Sequence, residues 1–310
     1  MTRNNEAILP PRLKRGDVVR LVSPASTPTG EWVVQLTTML EDLGLVVEVG
    51  QHVLDEHGYM AGTDQDRLAD LNDAFRDPRV KAVITTRGGK GAYRIADKLD
   101  FDAIRNNPKL LLGFSEITIL HLAIWKHCRV AGIHGAAWDE SFGVETAASF
   151  RKAVFTADPV TIAAGKHEPT LALTTSGKAE GILLGGNQDM VATAAGWTLP
   201  SLDGAILLIE DVDKRLGFID RQLTMLENGG HLKGIVGVAV GQYSKCGGDD
   251  TTQGDWTAID VLCDRLSRWN VPVLGGLPLG HGEHPLAVPV GTMATLDATK
   301  QLLTVQSAVA

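Results

Sequence analysis

Three residues far apart in the chain, Ser115, Glu210 and His281, have surroundings that suit acyl transfer through a nucleophile, a base and an orienting acid. Ser115 follows the apolar run Leu110-Leu111-Leu112-Gly113 and precedes a helix-like run through Leu120, Ile124 and Trp125. A serine on a sharp strand-to-helix turn is lifted clear of the packed layer. The helix behind it begins with unpaired N–H groups able to stabilise an oxyanion. The literal Gly-x-Ser-x-Gly elbow pattern is absent, because Ile117 stands where its second glycine would be. The plainer alternative is a serine that only caps the helix.

The acid candidate is Glu210, which with Asp211 abruptly follows the apolar Leu207-Leu208-Ile209. A strand end is a rigid mount for an acid near a cleft, and a solvated strand end is its bland counterpart. The base candidate is His281, whose neighbours Gly280 and Gly282 leave the imidazole reachable. His134, before Gly135, is a second candidate base, and His121 on an apolar run reads as a satisfied buried histidine. A metal pair of His281 and His284 with Glu283 is the rival reading, but no third ligand cluster of recognised spacing accompanies it. Arg87-Gly88-Gly89-Lys90-Gly91 is glycine-rich, yet no Ser or Thr follows the lysine as a phosphate loop requires. Backbone N–H groups offered to an oxyanion fit this loop better, with Arg87 or Lys90 available to a substrate carboxylate.

The elements that must position these residues can be read from the pattern. Apolar runs at 18–22, 45–49, 82–86, 110–114 and 130–134 predict strands, and helical spacing at 32–43 and 64–75 predicts the intervening helices. Nearly continuous apolar strands alternating with helices predict a parallel sheet covered on both faces, with ligands at the carboxyl ends of the strands. The Arg87 loop and Ser115 lie at two such ends. Residues 161–178, rich in Thr, Ala and Gly, read as a linker between an N-terminal α/β domain (1–160) and a C-terminal β-rich domain (179–310). In the latter, strand-like runs at 181–184, 205–209, 235–240, 292–296 and 302–305 are interrupted by helical segments at 218–227 and 257–268.

With 310 residues, 44% hydrophobic and 21% charged, the chain has the composition of a soluble globular protein. Lys and Arg number 29 against 37 Asp and Glu, and no basic stripe interleaved with aromatics appears, so nucleic acid is not the expected partner. No apolar run approaches the roughly 20 residues that span a bilayer, and the N-terminus lacks the apolar stretch of a leader. Three scattered cysteines, Cys128, Cys246 and Cys263, read as reduced thiols of a cytoplasmic protein.

From about residue 13 to residue 291 the motifs, taken in order, resemble the LD-carboxypeptidases (muramoyltetrapeptide carboxypeptidases), a serine peptidase family that includes the microcin-immunity peptidases. They are Ala61-Gly62-Thr63-Asp64 with Arg67-Leu68-Ala69-Asp70-Leu71; the Arg87 glycine loop; Gly113-Phe114-Ser115-Glu116-Ile117-Thr118; Gly185-Gly186-Asn187; Glu210-Asp211-Val212 with Ile219-Asp220-Arg221; and Gly280-His281. The resemblance implies a Ser115, Glu210, His281 triad and oxyanion donors at the backbone N–H groups of Gly88 and Glu116; Arg87, Lys90 and Asn187 are the candidate substrate contacts. It also implies a Rossmann-like (flavodoxin-like) parallel-sheet domain followed by a smaller β-rich α/β domain, no metal or cofactor, and a homodimer. The implied substrate is a peptide with a C-terminal D-amino acid, cut during cell-wall recycling. An immunity-type peptidase acting on aminoacyl-sulfamoyl-adenylates is the alternative, with Trp138 or Trp197 as the aromatic that could stack on adenine. A non-catalytic binder of small anions is the remote one. Lys90, Phe114, Glu116 and Ala136 depart from the family's commoner residues at their positions.

Overall fold

The computed structural model describes residues 6–247 and 255–310; residues 1–5, read above for a leader, lie outside them. In the first half, strands β1 (Val18–Val22), β2 (Val46–Val49), β3 (Val80–Thr85), β4 (Leu110–Gly113) and β5 (Gly132–His134) alternate with helices. The helices are α1 (Gly30–Asp42), α2 (Asp64–Arg76), α3 (Phe101–Asn106), α4 (Thr118–Cys128) and α5 (Val144–Phe155). Local chemistry sets the helix starts: the Thr29 side chain caps α1, and Thr63 with Asp66 forms a reciprocal capping box on α2. In the second half come β6 (Val160–Ala163), β7 (Lys178–Asn187), α6 (Gln188–Thr193), β8 (Ala205–Val212), α7 (Leu216–Asn228) and β9 (Gly237–Ser244). The chain then forms α8 (Ala258–Leu266), β10 (Val273–Leu274), β11 (Val288–Val290), β12 (Met293–Asp297) and β13 (Leu302–Val305).

These strands make two sheets. The first has the order β11-β5-β4-β3-β1-β2, so its parallel part runs 2-1-3-4-5 as in flavodoxin-like folds. The second runs β10-β9-β8-β7-β12-β13-β6, parallel from β10 to β7 and antiparallel beyond. Two features differ from the linear domain division read in the sequence. Residues 161–178 are not free linker: β6 pairs with β13, and a 3-10 turn at Pro169–Leu173 follows. Strand β11, from the far end of the chain, pairs antiparallel with β5 and so completes the first sheet. Both involve partners more than a hundred residues away, which local composition does not report.

Helix α4 lies between the two halves. It is buried along most of its length, as a largely apolar helix must be, with Lys126 and His127 reaching solvent near its end, and it packs against α6 and β7. One continuous core runs through it, from Val22 and Leu111 across Ile119 and Leu122 to Leu184, Leu207 and Val240. The start of α4 is therefore a fixed point to which both sheets are referred. Among the described residues, no helix is long and apolar enough to cross a membrane.

Candidate active site

Ser115 stands at that fixed point. Strand β4 is entirely buried and stops at Gly113; the chain bends through Phe114 and a 3-10 turn (Ser115–Ile117) into α4. Ser115 itself holds φ 62°, the left-handed region that costs a non-glycine residue about 1–3 kcal/mol and recurs at functional turns. Its side chain caps neither the 3-10 turn nor α4, so the capping reading does not apply.

The glycine loop after β3 presses against this turn. A Cβ on Gly88 would lie 2.8 Å from the Ser115 Cβ, 3.0 Å from its Oγ and 3.4 Å from the Glu116 nitrogen. Only glycine permits that approach, and it brings the Gly88 backbone and the Glu116 N–H together beside the hydroxyl. Three side chains brace the loop. The buried Arg67 donates to the carbonyls of Gly91 and Pro24, both at 2.8 Å. Ser26 Oγ accepts from the Lys90 N–H at 3.1 Å, and Glu116 Oε1 accepts from the N–H groups of Gly91 (2.8 Å) and Ala92 (3.0 Å). Burial pushes the Glu116 carboxyl above its usual range, and the N–H groups it accepts pull partly the other way.

Glu210 is wholly buried at the end of β8, and its Oε2 pairs with His281 Nδ1 at 2.7 Å. A side chain at position 280 would collide with that carboxylate, so Gly280 is what lets His281 reach it. Gln242 fixes the loop by accepting from the Gly282 N–H at 2.8 Å. Burial disfavours the His281 imidazolium, but the Glu210 hydrogen bond and charge, with Asp211 beyond, outweigh it and raise its pKa above the ordinary value. The Phe114 ring lies 4.9 Å from the imidazole, centroid to centroid, between the elbow and the base.

Two cavities meet at Ser115. One, of about 310 Å³, is walled by Trp32, Phe114, Trp138, Phe142, Arg87 and His281. The other, of about 380 Å³, is lined by Lys90, Glu116, Asn187, Asp189, Asp211 and Lys214. In the second, Lys214 pairs with Asp189 and Asn187 Nδ2 donates to Asp211 Oδ1 at 3.0 Å. Burial pushes the Asp211 carboxyl up to about 6.

The residues singled out from the sequence thus fall into place unevenly. Ser115 and His281 face one cavity, and Glu210 stands behind His281. Arg87 and Lys90, interchangeable in the sequence, lie in different cavities. Asn187 reaches the charged cavity, where its amide also caps α6. His134 is no second base: it is buried, faces neither cavity, and burial above all pushes it down to about 3. His284 gives its Nδ1 to the Phe142 carbonyl at 2.8 Å rather than joining His281. Trp138 lines the aromatic cavity and Trp197 lines neither. Trp32, Phe142, Asp189 and Lys214 were not foreseen, because each meets Ser115 only through contacts remote in sequence.

Two family models match the chain: the LD-carboxypeptidase N-terminal domain over residues 19–135 and the LD-carboxypeptidase C-terminal domain over residues 180–296. A Bacillus subtilis (strain 168) relative named "Probable murein peptide carboxypeptidase" is 35% identical, the match covering 97% of this chain and 95% of that one. Among solved structures, muramoyltetrapeptide carboxypeptidase from Oxalobacter formigenes superposes with a TM-score of 0.82 at 25% identity, covering 94% of this chain and 100% of that one. The microcin C7 self immunity protein MccF, in complex with aspartyl sulfamoyl adenosine, superposes with a TM-score of 0.85 at 22% identity over 98% and 100%.

Proposed function

The chain belongs to the LD-carboxypeptidase family and is a serine carboxypeptidase, and from that premise we propose that it hydrolyses the L-to-D amide bond that releases terminal D-Ala from murein tetrapeptide. Ser115 attacks the carbonyl while His281 takes its proton and later gives it to the leaving amine. Glu210 holds the imidazole in the Nδ1–H tautomer and stabilises the imidazolium. The N–H groups of Gly88 and Glu116 receive the oxyanion. Water then repeats the sequence on the acyl-enzyme. Nucleophile, base and acid are all side chains, so no step calls for a metal or an organic cofactor.

The observation that carries this reading is the buried Glu210–His281 pair, whose imidazole opens with Ser115 onto one cavity against Gly88. It also orients the substrate. His281 must protonate the departing amine, so the C-terminal residue occupies the aromatic cavity, where Arg87 meets its free carboxylate. The acyl residue then extends into the cavity of Lys214, Asp189 and Asp211, which suits a side chain bearing both charges. The same reading carries a cytoplasmic location, a role in cell-wall recycling and a homodimer, each resting on the family resemblance; light scattering tests the last.

A second reading is favoured by the aromatic wall itself. Trp32, Trp138 and Phe142 on the leaving-group side offer ring faces to a nucleobase, as an aminoacyl-sulfamoyl-adenylate would require. The deciding experiment is mass spectrometry of the protein with murein tetrapeptide, pentapeptide and an aminoacyl-sulfamoyl-adenylate, beside Ser115→Ala. Loss of one D-Ala from tetrapeptide alone, abolished in the variant, is the expected result. Cleavage of the adenylate alone would replace it with the second reading.

A further inference from the structure

Glu210 uses one oxygen on His281 and, among the described residues, has no hydrogen-bond partner at the other, although its side chain is wholly buried. A buried carboxylate oxygen left without a donor is costly, because it gives up its water and gains nothing in return. The nitrogen His134 Nε2 lies 3.8 Å from that free Oε1, and both ring nitrogens of His134 are likewise buried without partners. Backbone pairing fixes His134 there: it lies opposite Gly113 of β4 on one side and Val288 of β11 on the other. Burial favours the neutral form of the ring, pushing its pKa down to about 3. A neutral imidazole carries one proton, and Glu210 Oε1 is an acceptor that lies a few tenths of an ångström beyond hydrogen-bond distance of Nε2, near enough for a small side-chain shift to close.

We propose that His134 is a positioning residue for the base: as the Nε2–H tautomer it directs its donor at the Glu210 oxygen that His281 leaves unused, and so sets how the carboxylate's charge is shared. The carboxylate then stands between two imidazoles, one sealed and neutral, the other facing the cavity and titrating. The other ionisable groups around them are Asp211 and Lys214 at and after the end of β8, Tyr243 and Cys246 at and after the end of β9, and His121 on α4 beyond His134. Without the His134 donor, more of the carboxylate's charge falls to His281, which then holds its proton more tightly. The inference rests on Glu210 and His281 acting as acid and base, but not on the identity of the peptide.

The test needs no peptide substrate. Histidine-labelled protein is titrated by NMR, following His281, in wild type, His134→Gln and His134→Leu, with thermal melts to establish folding. Glutamine keeps an N–H donor at similar reach, and leucine removes it. In His134→Leu the His281 pKa rises by about one unit, a tenfold gain in proton affinity. In the glutamine variant it stays within a few tenths of wild type. Labelling of Ser115 by a phosphonate, at a pH below the wild-type His281 pKa found in the titration, falls about tenfold in the leucine variant only, since a one-unit rise leaves about a tenth as much neutral base. Should leucine not fold, His134→Met serves as the donorless variant. A donorless variant that titrates like wild type, or a glutamine variant shifted as far as leucine, would overturn the assignment. Because the titration reads the Glu210–His281 pair alone, a failure of tetrapeptide to turn over would count against the proposed substrate and leave this result standing.

Discussion

The two cavities that meet at Ser115 are built from opposite materials. On the His281 side the walls are largely aromatic rings, with Arg87 as the cation; on the Glu116 side carboxylates, an amide, Lys90 and a lysine already paired with Asp189 stand beside Tyr93 and Met190. Rings offer broad area with little rotamer loss and tolerate many occupants, whereas a prearranged ion-pair network rejects any group that leaves it unmatched. The difference teaches where selectivity resides. On the orientation proposed above, the leaving side would be permissive in shape and ask mainly for a carboxylate, and the acyl side would be demanding. Between them lies machinery common to both: the Gly88–Glu116 amides and the Glu210–His281 pair.

If the cavities divide the labour in this way, damage to the shared machinery lowers kcat for every substrate alike, while damage within one cavity changes KM for one half of the substrate. The largest effect belongs to Glu210→Gln, expected to cost about 10³–10⁴-fold in kcat, by loss of the correct imidazole tautomer. Its sign in pH is also defined. His281 must be neutral to accept the Ser115 proton, and Glu210 holds its pKa above the ordinary value, so activity falls as pH drops through a point above that value. In the glutamine variant the acid limb of kcat/KM moves to lower pH; a limb that stayed in place would separate Glu210 from the base.

Next comes Gly88→Ala, whose methyl group would meet the Ser115 side chain. It is expected to lower kcat about 10²–10³-fold, the scale of a lost oxyanion donor, with substrate binding to Ser115→Ala and to the double variant alike by calorimetry. A comparable loss of binding would mean that the loop serves recognition instead. Lys214→Met removes from the charged cavity the lysine paired with Asp189 and is expected to raise KM about 10–100-fold for substrates with a charged acyl side chain, but little for an uncharged one. Equal effects on the two would erase the distinction between the cavities. The smallest change is Arg87→Ala, an exposed side chain, expected to raise KM a few-fold for a free C-terminal carboxylate and not for its amide. Wild-type kinetics on both would remove Arg87 from recognition.

Much of this was legible in the chain. Strand β1 and strand β13 were read with their observed ends, because short apolar runs bounded by turn residues have few other ways to fold. The elbow showed in Leu110-Leu111-Leu112-Gly113, since an apolar strand followed by a largely apolar helix leaves Ser115 at the turn between them. Helix α5 went unread, and so did β11, a three-residue strand containing Pro289 whose only claim to be a strand is its pairing with β5. Arg87 and Lys90, three residues apart on one loop, looked equivalent, and the turn of that loop sends them to different cavities.

By itself, then, the sequence singled out the candidates for the chemistry: a serine at a strand-to-helix turn, a glutamate after an apolar strand, and a histidine between glycines. It also determined the parallel sheet, because hydrophobic period and turn residues are local properties. Only the tertiary structure decided that Glu210 and His281, 71 positions apart, share a hydrogen bond, that Gly88 leans on Ser115, and that two unlike cavities flank the hydroxyl. Each of these depends on how β8, the loop after β3 and the loop at His281 converge around α4. That convergence is fixed by burial of one continuous core rather than by any spacing along the chain.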